Sequence, residues 1–247
     1  DAALQEYAGD WFERLRARVH ELRRSPIAIE TEAANTQHYE VPPAFFTVAL
    51  GKRLKYSSCY YPTGRESLDE AEVAMLDLYL ERGEFRDGQD VLELGCGWGS
   101  LSLTLAERYP NSRITGVSNS SYQREFIEAR ARERGLSNLR ILTRDVNRLE
   151  LDPAAFDRCI SIEMFEHMRN YERLLARIAS WLRPQGKLFV HLFCHRERPY
   201  EVDGAGEANW MGQHVFSGGI MPSANLIRRC DRDLAVVQDW QWSGRHY

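Results

Sequence analysis

The stretch Asp90 to Ser100, DVLELGCGWGS, runs a short strand-like segment into three glycines at alternate positions, Gly95, Gly97 and Gly99. A brief apolar run closed by glycine reads as a buried strand, and the following SLSLTLAERY (100–109) has helical spacing. Glycines at such a turn let the backbone approach a ligand closely and leave amides exposed at a helix N-terminus. The third glycine falls one residue earlier than in the dinucleotide pattern G-x-G-x-x-G, whose last place is held here by Ser100. Glu93, just ahead of the loop, suits a ligand ammonium and serves no pyrophosphate.

Downstream, strand and helix patterns alternate. RITGVS (113–118), LRILTRDV (139–146), FDRCISIE (156–163) and KLFVHLFC (187–194) read as strands, and SYQREFIEARARERG (121–135) and YERLLARIASWLRPQG (171–186) as helices. Short apolar strands separated by helices imply a mostly parallel sheet covered on both faces, with ligands beyond the strand C-terminal ends. Upstream, residues 1–25 form an amphipathic helix stopped by Ser25-Pro26, and 38–64, rich in aromatics and prolines, reads as a loop-rich cap. A further helix has Ser67 as N-cap, Asp69 and Glu70 in its first turn and Gly83 closing it. Toward the C-terminus come a Gly/Trp-rich insertion (199–222), a short helix near Asn225 to Arg229, and the alternating LAVVQDWQW (234–242), read as an edge strand. The expected division is a helical lid over 1–85 and a core over 86–247, with a substrate-pocket insertion at about 195–230. The chain begins at Asp1 without methionine and stops directly after an aromatic segment, so it is expected to be part of a longer protein.

The formal charge of -4, with both signs interspersed, offers no basic face for nucleic acid and no polybasic tail for anionic lipid. Five scattered cysteines without C-x-x-C pairs suggest neither a disulfide framework nor a zinc site, and no metal is expected. No run approaches the ~20 apolar residues of a membrane span. A soluble, cytoplasmic protein with a small ligand is the expectation; oligomeric state is unreadable, and a homodimer stays open.

The glycine loop with Glu93 resembles motif I of S-adenosylmethionine-dependent methyltransferases. On that reading Ser118 and Asn119, ending the second strand, and Gln123 on the next helix are candidates for the ribose diol, although the same polar residues also suit a helix cap. Asp145 offers an acceptor for the adenine amino group and Val146 an apolar face, or Asp145 is simply a turn residue. SIEMFEHM (161–168) supplies the charged cluster. If the chain turns helical after Ile162, then Glu163, Glu166 and His167 fall at i, i+3 and i+4 on one face, at the sheet edge where a methyl donor's sulfonium belongs. Methyl transfer is an SN2 displacement that needs an in-line nucleophile. An amine nucleophile must first lose its proton, which carboxylates and a histidine can attract and remove. A solvated helix start is the plain alternative. His191, in a core strand, is either a structural hydrogen-bonding residue or a further catalytic group.

From HYEVPPAFF through KYSSCYY, VLELGCGWGS, GVSNSSYQREFI, SIEMFEHMRNYERLL, LFVHLFCH and FSGGIMPSANL to WSGRHY, the chain resembles the cyclopropane-fatty-acyl-phospholipid synthase superfamily, and within it the coclaurine and pavine N-methyltransferase branch. The resemblance spans about Thr36 to Tyr247. It implies a class I methyltransferase fold, Rossmann-like α/β with a mostly parallel seven-stranded sheet and an N-terminal helical cap. It also implies S-adenosyl-L-methionine as methyl donor and S-adenosyl-L-homocysteine as product. Carried over by position, the donor site comprises Tyr56 and Ser57 at the methionine end, Gly95 and Gly97, Ser118 and Gln123, Asp145 and Val146, and Ile162 near the sulfonium. Cyclopropane synthases share a Glu, a His and a Tyr at Glu166, His191 and Tyr247, but have a small residue, usually glycine, at Glu163 and a cysteine at Ser58. Burying an unpaired carboxylate beside an acyl chain costs several kcal/mol, whereas beside an amine it attracts. The implied reaction is N-methylation of a small or aromatic amine, with Glu163 as anchor, Glu166 and His167 as acid/base pair, and His191 and Tyr247 in the pocket. Tyr60, Tyr61, Trp210, Phe216 and Trp240 are candidates for an aromatic wall. Two alternatives stand beside it: methyl or methylene transfer to an unsaturated acyl chain, and a non-catalytic donor-binding subunit.

Overall fold

The computed structural model describes residues 11–29, 43–197, 199–202 and 218–246. Five strands form one parallel sheet: β1 (Asp90–Leu94), β2 (Arg113–Ser118), β3 (Leu139–Thr143), β4 (Phe156–Ile162) and β5 (Leu182–His191), in the order β3-β2-β1-β4-β5. Before the sheet lie α1 (Trp11–Arg24), α2 (Pro43–Ala49) and α3 (Leu68–Arg82). Three connecting helices intervene within it, α4 (Ser100–Arg108) after β1, α5 (Ser121–Glu133) after β2 and α6 (Tyr171–Trp181) after β4. The central strand β1 is buried along its whole length, as the continuous apolar pattern requires. One side of the core joins Leu92 and Leu94 to Ile178 and Trp181 of α6 and Leu22 of α1; the other joins Val91 and Ile160 to Met75 and Tyr79 of α3.

Helix α3 starts as expected. Ser67 accepts from the Glu70 amide while the Glu70 carboxylate returns to the Ser67 amide at 2.8 Å, a reciprocal box at the helix start. Gly83 caps the far end. Helix α6 is shorter than the pattern suggested, because β5 begins at Leu182. The register jumps from Phe156↔Leu182 to Arg158↔Lys187, so Arg183 to Gly186 bulge out of the ladder. Pro184 explains the early stop, since the residue before a proline is driven out of the helical region.

The expected seven strands are corrected to five in this sheet among the described residues, with a separate antiparallel pair β6 (Tyr200–Glu201) and β7 (Ile220–Met221). Residues 234–242 are not a strand. Alternation there has another use: the Arg82 guanidinium lies 4.8 Å from the Trp240 ring and 4.4 Å from the Trp242 ring, while Val237 is exposed. No helix among the described residues is long and apolar enough to cross a membrane, and the five cysteines are free thiols.

Candidate functional site

The strand order reverses direction between β1 and β4, so their C-terminal ends part into a crevice. Their register, Leu94 opposite Ser161, places the glycine loop beside the turn that carries Glu163. The Ser161 hydroxyl seals the two strands by donating to the Leu94 carbonyl at 3.1 Å. A cavity of about 810 Å³ opens there, bordered by Tyr56, Glu93, Gly97, Ile162, Glu163 and His167. Tyr200 and Glu201 of β6 and Met221 of β7 reach its outer side.

The loop needs its glycines. Gly97 has φ +51°, and a Cβ there would come within 2.8 Å of the Tyr56 ring. The cap is packed onto this loop through Phe46 of α2, whose ring lies 4.8 Å from Trp98 and 6.1 Å from Tyr56. Glu93, almost fully buried, bonds the Ser102 hydroxyl. Burial pushes its carboxyl up to about 7, with Ser102 and the Lys55 charge pulling the other way.

Ser118, Ser120 and Gln123 form a polar shelf past β2. The Ser118 hydroxyl donates to Gln123 Oε1 at 2.6 Å and accepts from the Ser120 amide at 3.0 Å, while Ser120 caps α5. Gln123 Nε2 is buried with no hydrogen-bond partner among the described residues, a donor that a ribose hydroxyl would satisfy. Asn119 lies between them in the same turn. Asp145 caps a 3-10 turn, Val146–Arg148, by accepting from the Asn147 amide at 2.7 Å, so one of its oxygens is committed to the turn. Arg177 of α6 donates to the Val146 carbonyl at 2.8 Å, and Asn147 exchanges two hydrogen bonds with the Ala28 backbone.

The charged cluster is built differently from the expected helix. Glu163 has φ +51°, outside any helix, and its amide still belongs to the sheet, donating to the His191 carbonyl at 2.8 Å. Only Phe165–His167 turn, as a single 3-10 turn. The three side chains therefore do not share a helical face. Glu163 and His167 border the cavity, whereas Glu166 is wholly buried behind it. Its Oε1 accepts from the Phe193 amide at 2.8 Å, and Oε2 has no hydrogen-bond partner among the described residues. Burial raises this carboxyl to about 8, and the neighbouring Glu163 adds to the rise, so Glu166 is mostly protonated at neutral pH. The turn is held from below. Tyr171 donates to the Phe165 carbonyl at 2.8 Å, the Arg169 amide to the Ile27 carbonyl at 2.7 Å, and Met168 bridges Ala28.

His191 is likewise buried, 2.6 Å from the Tyr79 hydroxyl through Nδ1 and with the Trp242 ring at 5.2 Å. Burial drops its pKa to about 3, with Lys55 and Arg82 adding to the fall, so it stays neutral. These contacts suit the structural reading of His191.

Of the anticipated residues, Tyr56, Ser57, Gly95, Gly97, Ile162, Glu163 and His167 line one cavity. Ser118, Asn119, Gln123, Asp145 and Val146 sit beyond it, at or past the ends of β2 and β3. Tyr247, Trp210 and Phe216 lie outside the described residues. Tyr60, Tyr61 and Trp240 do not border the cavity; Tyr60 packs at a tilt against His246, and Trp240 lies against Arg82. The aromatic wall comes instead from Tyr56, Tyr79, Trp98, Phe193 and Tyr200. Lys55 and Tyr79 were missed. A lysine directly before the Tyr-Ser pair was the available signal for the first, and a tyrosine on the apolar stripe of α3 for the second.

A family profile described as mycolic acid cyclopropane synthetase matches residues 28–247. (S)-Coclaurine N-methyltransferase from Thalictrum flavum subsp. glaucum is 44% identical over 231 residues, 93% of this chain. The chain spans 64% of that relative's length. The cyclopropane-fatty-acyl-phospholipid synthase of Escherichia coli K12 is 29% identical over 213 residues, covering 85% of this chain and 52% of the relative. Among solved structures, coclaurine N-methyltransferase bound to N-methylheliamine and SAH superposes with a TM-score of 0.91 at 40% identity, covering 99% of this chain and 72% of that one.

Proposed function

The chain belongs to the mycolic acid cyclopropane synthetase family, and on that premise we propose that it is an S-adenosylmethionine-dependent N-methyltransferase acting on a small or aromatic amine of the tetrahydroisoquinoline kind. The observation that carries the reading is the Glu163 carboxylate bordering the cavity directly beside the glycine loop. The likeness to coclaurine N-methyltransferase supports it. The residues fit the donor: a glycine loop open to close approach, an acid in Glu93 for an ammonium, and an unsatisfied amide at Gln123 for a ribose. When bound, the donor supplies an electrophilic methyl group on a sulfonium.

The rest is the work of this chain. Glu163 draws the amine in as its ammonium and orients the nitrogen. His167, at the end of the 3-10 turn that follows, takes the proton that frees the lone pair. Glu166, protonated and bonded to the Phe193 amide, fixes the aromatic wall rather than abstracting a proton itself. The apolar lining excludes water and holds the ring of the acceptor in place. The mainly apolar cavity and the more distant likeness to a cyclopropane synthase support a second reading, methyl or methylene transfer to an unsaturated acyl chain.

A mass-spectrometric screen with labelled methyl donor, over tetrahydroisoquinolines, phenethylamines and unsaturated phospholipids, separates the readings. Labelled amines are the expected outcome. Binding of the donor with no labelled product would favour the non-catalytic alternative. In the Glu163→Gly variant amine turnover falls about 100-fold, within the range for a positioned charge and proton acceptor. Because Glu163 sits at φ +51°, glycine is at ease there and the variant keeps its fold. Undiminished methylation by that variant would overturn the role given to Glu163.

A further inference from the structure

The segment from Gly51 to Ser57 is built around one side chain of α3. Glu72, fully buried, accepts the amides of Gly51, Arg53 and Lys55 at 3.1, 2.8 and 3.0 Å. A Cβ on Gly51 would stand 2.5 Å from the Glu72 carboxylate, so any larger residue there would push that carboxylate out of its place. Next along, Leu54 is held at φ +53°, a region that non-glycine residues enter at a cost in free energy. The result of this construction is to drive Lys55 inward. It is 6% exposed and borders the same cavity as Glu93 and Glu163.

Among the described residues its ammonium is not paired with a carboxylate as a buried cation usually is. Nζ donates to the Ser57 carbonyl and, at 3.3 Å, to the Ser57 hydroxyl, and lies 5.0 Å from the centre of the Tyr79 ring. Both acceptors are neutral. An ammonium carries three donors, so among the described residues one is left over for a ligand. Burial pulls the group down to about 8, against the upward pull of Glu163, Glu72 and Glu93, and an anionic ligand would complete its charge.

Resting on the methyl-donor reading, we propose that Lys55 binds the α-carboxylate of the donor, opposite Glu93 at its ammonium. Lys55 and Glu93 then supply, within one cavity, the cation and the anion that an amino-acid zwitterion requires. Neither an amine acceptor nor an alkene brings a carboxylate, so the donor is the partner this lysine fits. Glu72 acts as the positioning residue that holds the lysine in place.

Calorimetry on the full chain, without acceptor, tests this with S-adenosylhomocysteine and its decarboxylated analogue, which keeps the nucleoside, sulfur and amine and lacks only the carboxylate. The wild type is expected to prefer the carboxylate-bearing ligand by about tenfold or more. In Lys55→Met, and equally in Lys55→Gln, the two ligands bind alike. Equal binding of both ligands by the wild type overturns the proposal without any variant, as does an undiminished preference in either substitution. A wild type that binds neither ligand overturns the methyl-donor reading itself, and the role of Lys55 with it.

Discussion

Two acids three residues apart on β1, Asp90 and Glu93, are both nearly buried and have opposite fates. At the N-terminal end of the sheet, Asp90 is gripped by Arg113 and by Arg183, the latter at 2.7 Å, and Arg183 also reaches Asp157 at 2.7 Å. Asp157 in turn accepts the Asp90 amide at 2.8 Å. Burial pushes Asp90 up, but the two arginines more than offset it and hold the carboxylate below its usual range. At the other end Glu93 has one hydroxyl and a lysine nearby, and its carboxyl rises to about 7. Glu166 rises further, to about 8, with one oxygen unsatisfied among the described residues. One end of the sheet spends its charges on itself. The other keeps them incompletely satisfied, which is what a ligand site requires.

That contrast can be broken in order of expected effect. Gly97→Ala adds a methyl group that clashes with Tyr56 on the ligand side, and should weaken S-adenosylhomocysteine binding by about tenfold or more, while the left-handed backbone at φ +51° costs about 1 kcal/mol of stability as well. Calorimetry paired with a thermal melt reads both. Asp90→Asn acts on stability alone. It should remove about 1–2 kcal/mol of stability in a denaturant titration, a figure reduced for the exposed Arg113 side chain, while leaving ligand affinity intact. Loss of ligand affinity in that variant would erase the distinction between the ends.

The third and smallest effect is in pH. Glu166 has a raised pKa in the folded state, so its contribution is complete below the unfolded carboxylate pKa and is lost as pH rises through about 8. Asp90 has a lowered one, so its contribution is present above the unfolded value and lost as pH falls. Denaturation midpoints measured from about pH 2 to 9 should therefore lose part of their alkaline slope in Glu166→Gln, and part of their acid slope in Asp90→Asn. The side-chain amide introduced by Glu166→Gln keeps a carbonyl oxygen as acceptor for the Phe193 amide, so the change isolates the proton. Unchanged slopes in both variants would mean that neither carboxyl titrates as its surroundings demand.

The sheet was legible because buried parallel strands are near-continuous apolar runs, and α3 because Ser67 and Glu70 stand at the spacing of a capping box. The glycine loop was legible for a related reason, since Gly97 occupies a backbone region that few other residues tolerate. What failed shares a cause: a local pattern was compatible with two structures. Glu163, Glu166 and His167 have helical spacing, yet the sheet retains the Glu163 amide and turns it left-handed. LAVVQDWQW alternates like a strand, yet its tryptophans enclose Arg82. Lys55 was passed over because nothing near it in sequence shows that Glu72, on a helix that follows, pulls its backbone inward.

The attachment of α1 has a consequence for how the molecule opens. Asn170 donates to the Arg23 and Ser25 carbonyls at 2.8 and 3.0 Å, Arg23 pairs with Glu172, and Ala28 is tied to both Asn147 and Met168. These closures join segments far apart in the chain, and they seize the segment carrying Glu163 and His167 on its far side. Amide hydrogen exchange in α1 should therefore follow that of the residue 163–170 turn as one cooperative unit, so that a helix remote in sequence reports on whether this corner of the cavity is assembled.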